Sequence, residues 1–123
     1  MKQPFALIIE DDDKLSKIFS LTLEATAYTT EIVRNGQAAL GRLAEVVPDL
    51  VILDLHLPYV SGKEILQHIR ADERLNDTRI ILATADAFMA DELQNAADLV
   101  LLKPISVPQL SDLADRLRPN AFK

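Results

Sequence analysis

Four carboxylates in a row, Glu10, Asp11, Asp12 and Asp13, stand directly behind the apolar run Phe5–Ile9. Neighbouring like charges repel, so water, a helix N-terminus or a bound cation has to offset them. A fifth carboxylate, Asp54, directly ends the run Leu50–Leu53; Thr84 ends Ile80–Ala83, and Lys103-Pro104 follows Leu99–Leu102. Carboxylates gathered at one place suit a hard divalent cation with oxygen ligands, Mg²⁺ or a close relative. A hydroxyl and an ammonium beside that ion complete a site for a phosphoryl group. Each residue also has an ordinary reading. Asp12 and Asp13 fit the first turn of a helix, where the dipole favours acids. Taken singly, Glu10 and Asp11 read equally as solvated acids, Thr84 as a strand residue and Lys103 as a surface charge. The rings of His56 and His68 carry no chemistry in this reading, and His68 falls opposite the Ile65/Ile69 stripe.

Such residues form a site only if the chain brings them to one place, and the hydropathy pattern does so. Phe5–Ile9, Leu50–Leu53, Ile80–Ala83 and Leu99–Leu102 are short, continuous apolar runs, the pattern of strands covered on both faces. The more polar Thr29–Arg34 reads as an edge strand. Between these runs the apolar residues recur at helical spacing: Leu15, Ile18, Phe19, Thr22, Leu23; then Leu40, Leu43, Ala44, Val47; then Ile65, Leu66, Ile69; then Leu110, Leu113, Leu117. A further helix with a weak pattern is expected between Ala87 and Ala97. Asn35-Gly36 and Ser106 are placed as helix N-caps, and Pro48 and Pro119 as stops. Five alternating β-α units predict a doubly wound α/β sandwich with a parallel sheet. Ligands of such sheets bind outside the carboxyl ends of the strands, where Glu10-Asp11, Asp54, Thr84 and Lys103 all fall.

With these residues placed, the chain resembles bacterial response-regulator receiver domains. Asp54 to Gly62, D-L-H-L-P-Y-V-S-G, is similar to their phosphoacceptor segment. Glu10-Asp11, Thr84 and Lys103-Pro104 fall where that family has its acid pair, hydroxyl and lysine. The resemblance spans residues 1–123 as one domain and implies a flavodoxin-like three-layer sandwich with five strands in the order 2-1-3-4-5. It implies that Asp54 takes a phosphoryl group from a phosphohistidine. It further implies Mg²⁺ bound by Asp11, Asp54 and the backbone carbonyl of His56, with Glu10 acting mostly through metal-bound water. Thr84 and Lys103 are then expected on the phosphoryl oxygens, and Pro104 after a cis peptide. A sensor histidine kinase or phosphotransfer protein is the expected donor, and an unidentified output partner reads the result.

The chain departs from the family pattern in three places. Val100 stands where an aromatic or polar switch residue is common. Nineteen positions separate Thr84 from Lys103, about three fewer than the family usually has, close to one helical turn. The fourth helix is therefore expected to be short or irregular. Ala96 replaces a glycine expected before the fifth strand.

Composition excludes several classes of protein. The chain has 123 residues, 49% hydrophobic and 26% charged, enough for one domain with a real core and unlike a disordered segment. Its net charge of −6 argues against direct nucleic-acid binding. Without cysteine, and with two histidines, it cannot assemble a zinc site or a disulfide scaffold. No apolar run approaches the ~18 residues of a membrane span, and no signal peptide is expected because the N-terminus turns acidic at Glu10. Together with these readings, the resemblance implies a cytoplasmic signalling domain rather than an enzyme, and it allows a homodimer. The rival is a Mg²⁺-dependent phosphohydrolase of the haloacid-dehalogenase kind, which also uses Asp, Thr, Lys and an acid pair. That family places its nucleophile after the first strand and needs a cap or deep pocket, whereas Asp54 follows the third strand and no insertion of cap length exists.

Overall fold

A computed structural model describes residues 3–119. The elements are β1 (Phe5–Ile9), α1 (Asp13–Ala25), β2 (Thr29–Val33), α2 (Gly36–Leu43), β3 (Leu50–Asp54), α3 (Gly62–Ala71), a 3₁₀ turn (Glu73–Leu75), β4 (Arg79–Thr84), α4 (Ala87–Leu93), β5 (Leu99–Leu102) and α5 (Val107–Arg116). The five strands form one parallel sheet in the order β2-β1-β3-β4-β5.

Strand alternation divides the core into two layers. Leu7, Ile9, Val51, Leu53, Ile80 and Leu82 face α2 and α3, while Ala6, Ile8, Leu50, Ile52 and Ile81 face α1 and α5. Every residue of β3 is buried, which is why that strand reads as an unbroken apolar run. β2 is the more polar edge strand, as expected, but it ends at Val33; Arg34 leaves the sheet and pairs with Asp13 at 2.7 Å. Asp54 and Thr84 are themselves the last residues of β3 and β4. Asn35 and Ser106 cap α2 and α5 as expected.

Two helices correct the periodicity reading. In α1 the buried face is Ser16, Phe19, Ser20, Thr22 and Leu23, whereas Ile18 is 43% exposed. The hydroxyls enter the interior because each finds a partner. Ser16 Oγ donates to the Asp13 carbonyl, Thr22 Oγ1 donates to the Ile18 carbonyl, and Ser20 Oγ meets both Glu24 and Thr30 of β2. α2 stops at Leu43 rather than running to Pro48, leaving Ala44 exposed and Val47 outside the helix and exposed. Arg74 of the 3₁₀ turn donates to the carbonyls of Leu43 and Val46, satisfying the end of α2 five residues before the proline. In α5 the inward positions are Leu110 and Ala114, with Leu113 and Leu117 half-buried.

α1 ends in a Schellman motif. Tyr28 N–H donates to the Leu23 carbonyl and Ala27 N–H to that of Glu24, with Ala27 in the left-handed region at φ 67°. Alanine pays for its Cβ at this position and glycine does not. Ala27→Gly is expected to stabilise the protein by about 0.5 kcal/mol, the relief being partly offset by the freer unfolded chain. Thermal unfolding checks this: Tm should rise by about 2 °C, and a fall would mean that the Ala27 methyl packs usefully.

Candidate functional site

The rim at the carboxyl ends of β1, β3, β4 and β5 gathers the residues expected there. The last β1–β3 register pair is Ile9 with Leu53, so Glu10 and Asp54 stand one step beyond it on neighbouring strands. Asp54 also pairs with Ala83 of β4, and Thr84 with Leu102 of β5. Glu10, Asp54 and Thr84 are buried, while Asp11 is exposed. One carboxylate oxygen from each of Glu10, Asp11 and Asp54 lies within 4.8 Å of the others.

Lys103 reaches back into this group from the end of β5. Its Nζ stands 2.9 Å from Glu10 Oε1 and 3.4 Å from Asp54 Oδ1. The Lys103–Pro104 peptide is cis, as the resemblance implied. His56 exposes its ring and donates its backbone N–H to Asp54 Oδ1 at 3.1 Å.

The acidic run divides between two tasks. Asp12 N-caps α1, accepting from Leu15 N–H at 2.8 Å, and its own N–H donates to Glu10 Oε2 at 3.3 Å. Asp13 sits in the first turn, paired with Lys17 and Arg34, which hold its carboxyl below the usual range. Glu10 and Asp11 remain for the rim. Three carboxylates against one ammonium leave the pocket net negative. Burial pushes the Glu10 carboxyl up to about 7; the Lys103 hydrogen bond opposes this and the adjacent Asp54 reinforces it. Burial would lower the Lys103 pKa, but the hydrogen bond that Lys103 donates to Glu10 and the charge of Asp54 overcome it and hold its pKa above the ordinary value.

An oxygen-lined, electronegative pocket of this kind suits a divalent cation that keeps several waters. Beside it lie a buried carboxylate, Asp54, a hydroxyl, Thr84, and an ammonium, Lys103. That set can place a cation and donors around a transferring phosphoryl group. A response-regulator receiver domain model matches residues 6–115. The chain belongs to that family. A polar-differentiation response regulator, DivK, of Brucella anthropi is 38% identical over 106 residues, spanning 84% of this chain and 86% of that protein. The signal receiver domain of a histidine kinase from Syntrophus aciditrophicus superposes with a TM-score of 0.83 at 31% identity, covering 93% and 89% of the two chains. The chemotaxis response regulator CheY4 of Vibrio cholerae shares the fold with a TM-score of 0.86 at 23% identity, covering 94% and 99%. This receiver domain is thus a phospho-accepting module of two-component signalling, and the haloacid-dehalogenase alternative falls away.

Two residues on which the rim depends were not assigned a role from the sequence. Gly62, at the start of α3, donates its N–H to the Leu55 carbonyl and lies so close to the Asp54–Leu55 backbone that a Cβ would collide with it. Asp86 N-caps α4 through the amides of Phe88 and Met89, and its own N–H donates to Thr84 Oγ1 at 3.0 Å. Its place one residue before a helical start was the available signal. Of the family departures, the shortened spacing is met by α4, which has seven residues. Val100 and Ala96 both pack half-buried against the core layer that includes Leu93.

Proposed function

We propose that Asp54 is the phosphoacceptor and that Glu10, Asp11, Asp54 and the His56 backbone carbonyl hold Mg²⁺. One carboxylate oxygen of Asp54 attacks phosphorus of a phosphohistidine on a sensor kinase or phosphotransfer protein. The P–N bond breaks, its electron pair returns to the imidazole, which takes up a proton, and an acyl phosphate forms on Asp54. When held by these ligands, Mg²⁺ would supply charge neutralisation at the phosphoryl oxygens. Lys103 supplies a second positive charge, and Thr84 a hydroxyl that donates to a phosphoryl oxygen. Slow hydrolysis of the acyl phosphate returns the domain to rest, so its chemistry is confined to its own carboxylate. An output partner in the cytoplasm reads the change.

The observation that carries this reading is the convergence of three carboxylate oxygens within 4.8 Å of one another, that of the buried Asp54 among them, with Lys103 touching two of the three groups. Incubation with acetyl phosphate and Mg²⁺ tests it: the protein should gain one phosphoryl group, and chelation of the metal should prevent the gain. Asp11→Asn removes one charged ligand and should raise the Mg²⁺ concentration required by about tenfold or more. An unchanged requirement would remove Asp11 from the ligand set.

A further inference from the structure

β2 is an edge strand, and the phase of its ladder fixes which backbone groups it presents. Thr29 N–H donates to the Pro4 carbonyl, and Glu10 N–H donates to that of Val33. The register runs unbroken from Phe5 opposite Thr29 to Ile9 opposite Val33. Thr29, Glu31 and Val33 therefore turn their N–H and C=O groups to β1, and Thr30 and Ile32 turn theirs outward. Among the described residues, no loop backbone bonds to those outward groups. Natural edges are commonly blunted by lysine, proline or a bulge. The segment TTEIV has none of these, and its one charge, Glu31, is held by Arg42 of α2 at 2.6 and 2.9 Å. Against the same edge, on the α1 side, lies a groove of about 570 Å³ lined by Thr30, Ile32, Ser20, Glu24 and Gln3 among others. Ser20 Oγ meets Thr30 Oγ1 at 2.7 Å and donates to Glu24 Oε1 at 3.0 Å. Glu24 is exposed, and no lysine or arginine among the described residues forms a salt bridge with it. The acid on the α2 side of the edge is thus neutralised, and the acid on the α1 side is open.

We propose that the β2 edge and its groove dock an extended, basic segment of a partner protein, which adds to the sheet as a sixth strand. The segment's backbone pairs with the outward N–H and C=O groups of Thr30 and Ile32. A lysine or arginine on its α1-side face enters the groove and meets the Glu24 carboxylate. Strand addition draws its affinity from main-chain hydrogen bonds and its specificity from alternate side chains, here those that face the groove. Charge selects this occupant over a second copy of the chain. Pairing β2 with itself would bring together two domains of net charge −6, each with an open Glu24, whereas a basic segment is attracted to the same surface. The edge uses none of the rim residues, so docking there is independent of the phospho-acceptor reading.

Titration of the ¹⁵N-labelled chain with the peptide acetyl-Thr-Lys-Val-Lys-Thr-amide tests this, in Mg²⁺ to occupy the rim. The same peptide with glutamate in place of lysine is the control. The Thr30 and Ile32 amides should shift downfield with the lysine peptide and exchange with solvent about tenfold more slowly at saturation. The glutamate peptide should leave them unmoved. Glu24→Gln should weaken binding by about threefold, as expected for an exposed ion pair. Thr30→Pro removes an outward N–H and no hydrogen bond to β1, so its circular dichroism should match the wild type while binding is lost. Glu24→Gln, a surface change, keeps the test decisive if the proline variant does not fold. Unmoved Thr30 and Ile32 amides, shifts confined to the surroundings of Glu10, Asp11 and Asp54, or equal binding of the two peptides would overturn the proposal. So would shifts of the Thr30 and Ile32 amides that grow with protein concentration in the absence of peptide, because a second copy would then occupy the edge.

Discussion

Gly62→Ala should destabilise the domain by about 3 kcal/mol or more, enough to unfold much of the population near 37 °C. Gly62 does not adopt a positive φ, so the requirement is for space. A Cβ there would overlap the Asp54 carbonyl oxygen and lie 2.5 Å from Leu55 Cα. Both obstacles are backbone, so no side chain can rotate out of the way. α3 would have to lift off the turn that carries Asp54. Gly41 provides the opposite case: a Cβ there meets nothing within 4 Å, and it lies inside α2, where alanine is favoured over glycine by about 1 kcal/mol. Gly41→Ala should therefore raise Tm and Gly62→Ala should lower it steeply. Equal shifts for the two substitutions would show that the approach of α3 to Asp54 is not the constraint described.

Metal-free protein should lose about 3 kcal/mol of stability as the pH rises from about 4.5 to 8, through the Glu10 carboxyl alone. Its folded-state pKa of about 7 lies above the ordinary 4.5. Below pH 4.5 both folded and unfolded chains hold the proton. Between 4.5 and 7 only the folded chain holds it, so rising pH favours unfolding, and above 7 the full penalty of a buried carboxylate is present. Asp13, Glu31 and Asp98 act with the opposite sign, because their depressed pKa values contribute stability that is lost in acid. The maximum should therefore fall near pH 5. Mg²⁺ should restore most of the loss at pH 8, since it binds the ionised, folded site. Denaturant unfolding across this range checks the slope, which Glu10→Gln should flatten. A metal-free wild type equally stable at pH 5 and 8 would remove the strain assigned to Glu10.

The sheet was legible because β1, β3 and β4 are buried on both faces and read as unbroken apolar runs, and β5 is equally apolar although it is an edge strand with Leu102 exposed; the order of these runs in the chain is the order of β-α units. The site was legible for a related reason: Glu10, Asp54, Thr84 and Lys103 each stand where an apolar run stops, and a parallel sheet brings such points to one rim. What stayed hidden depends on partners distant in sequence. Ser16 and Ser20 look polar until Asp13, Glu24 and Thr30 satisfy them, so the inward face of α1 was displaced toward Ile18. The end of α2 is set by Arg74, 31 residues beyond Leu43, and Pro48 gave no sign of it. Gly62 and Asp86 matter through what they touch, which periodicity and composition do not encode.

The central claim is that Asp54 alone receives the phosphoryl group. Intact-mass analysis after treatment with Mg²⁺ and acetyl phosphate decides it, with wild type and Asp54→Ala run side by side. The wild type should gain one acid-labile phosphoryl group and Asp54→Ala none; undiminished labelling of Asp54→Ala would contradict the account.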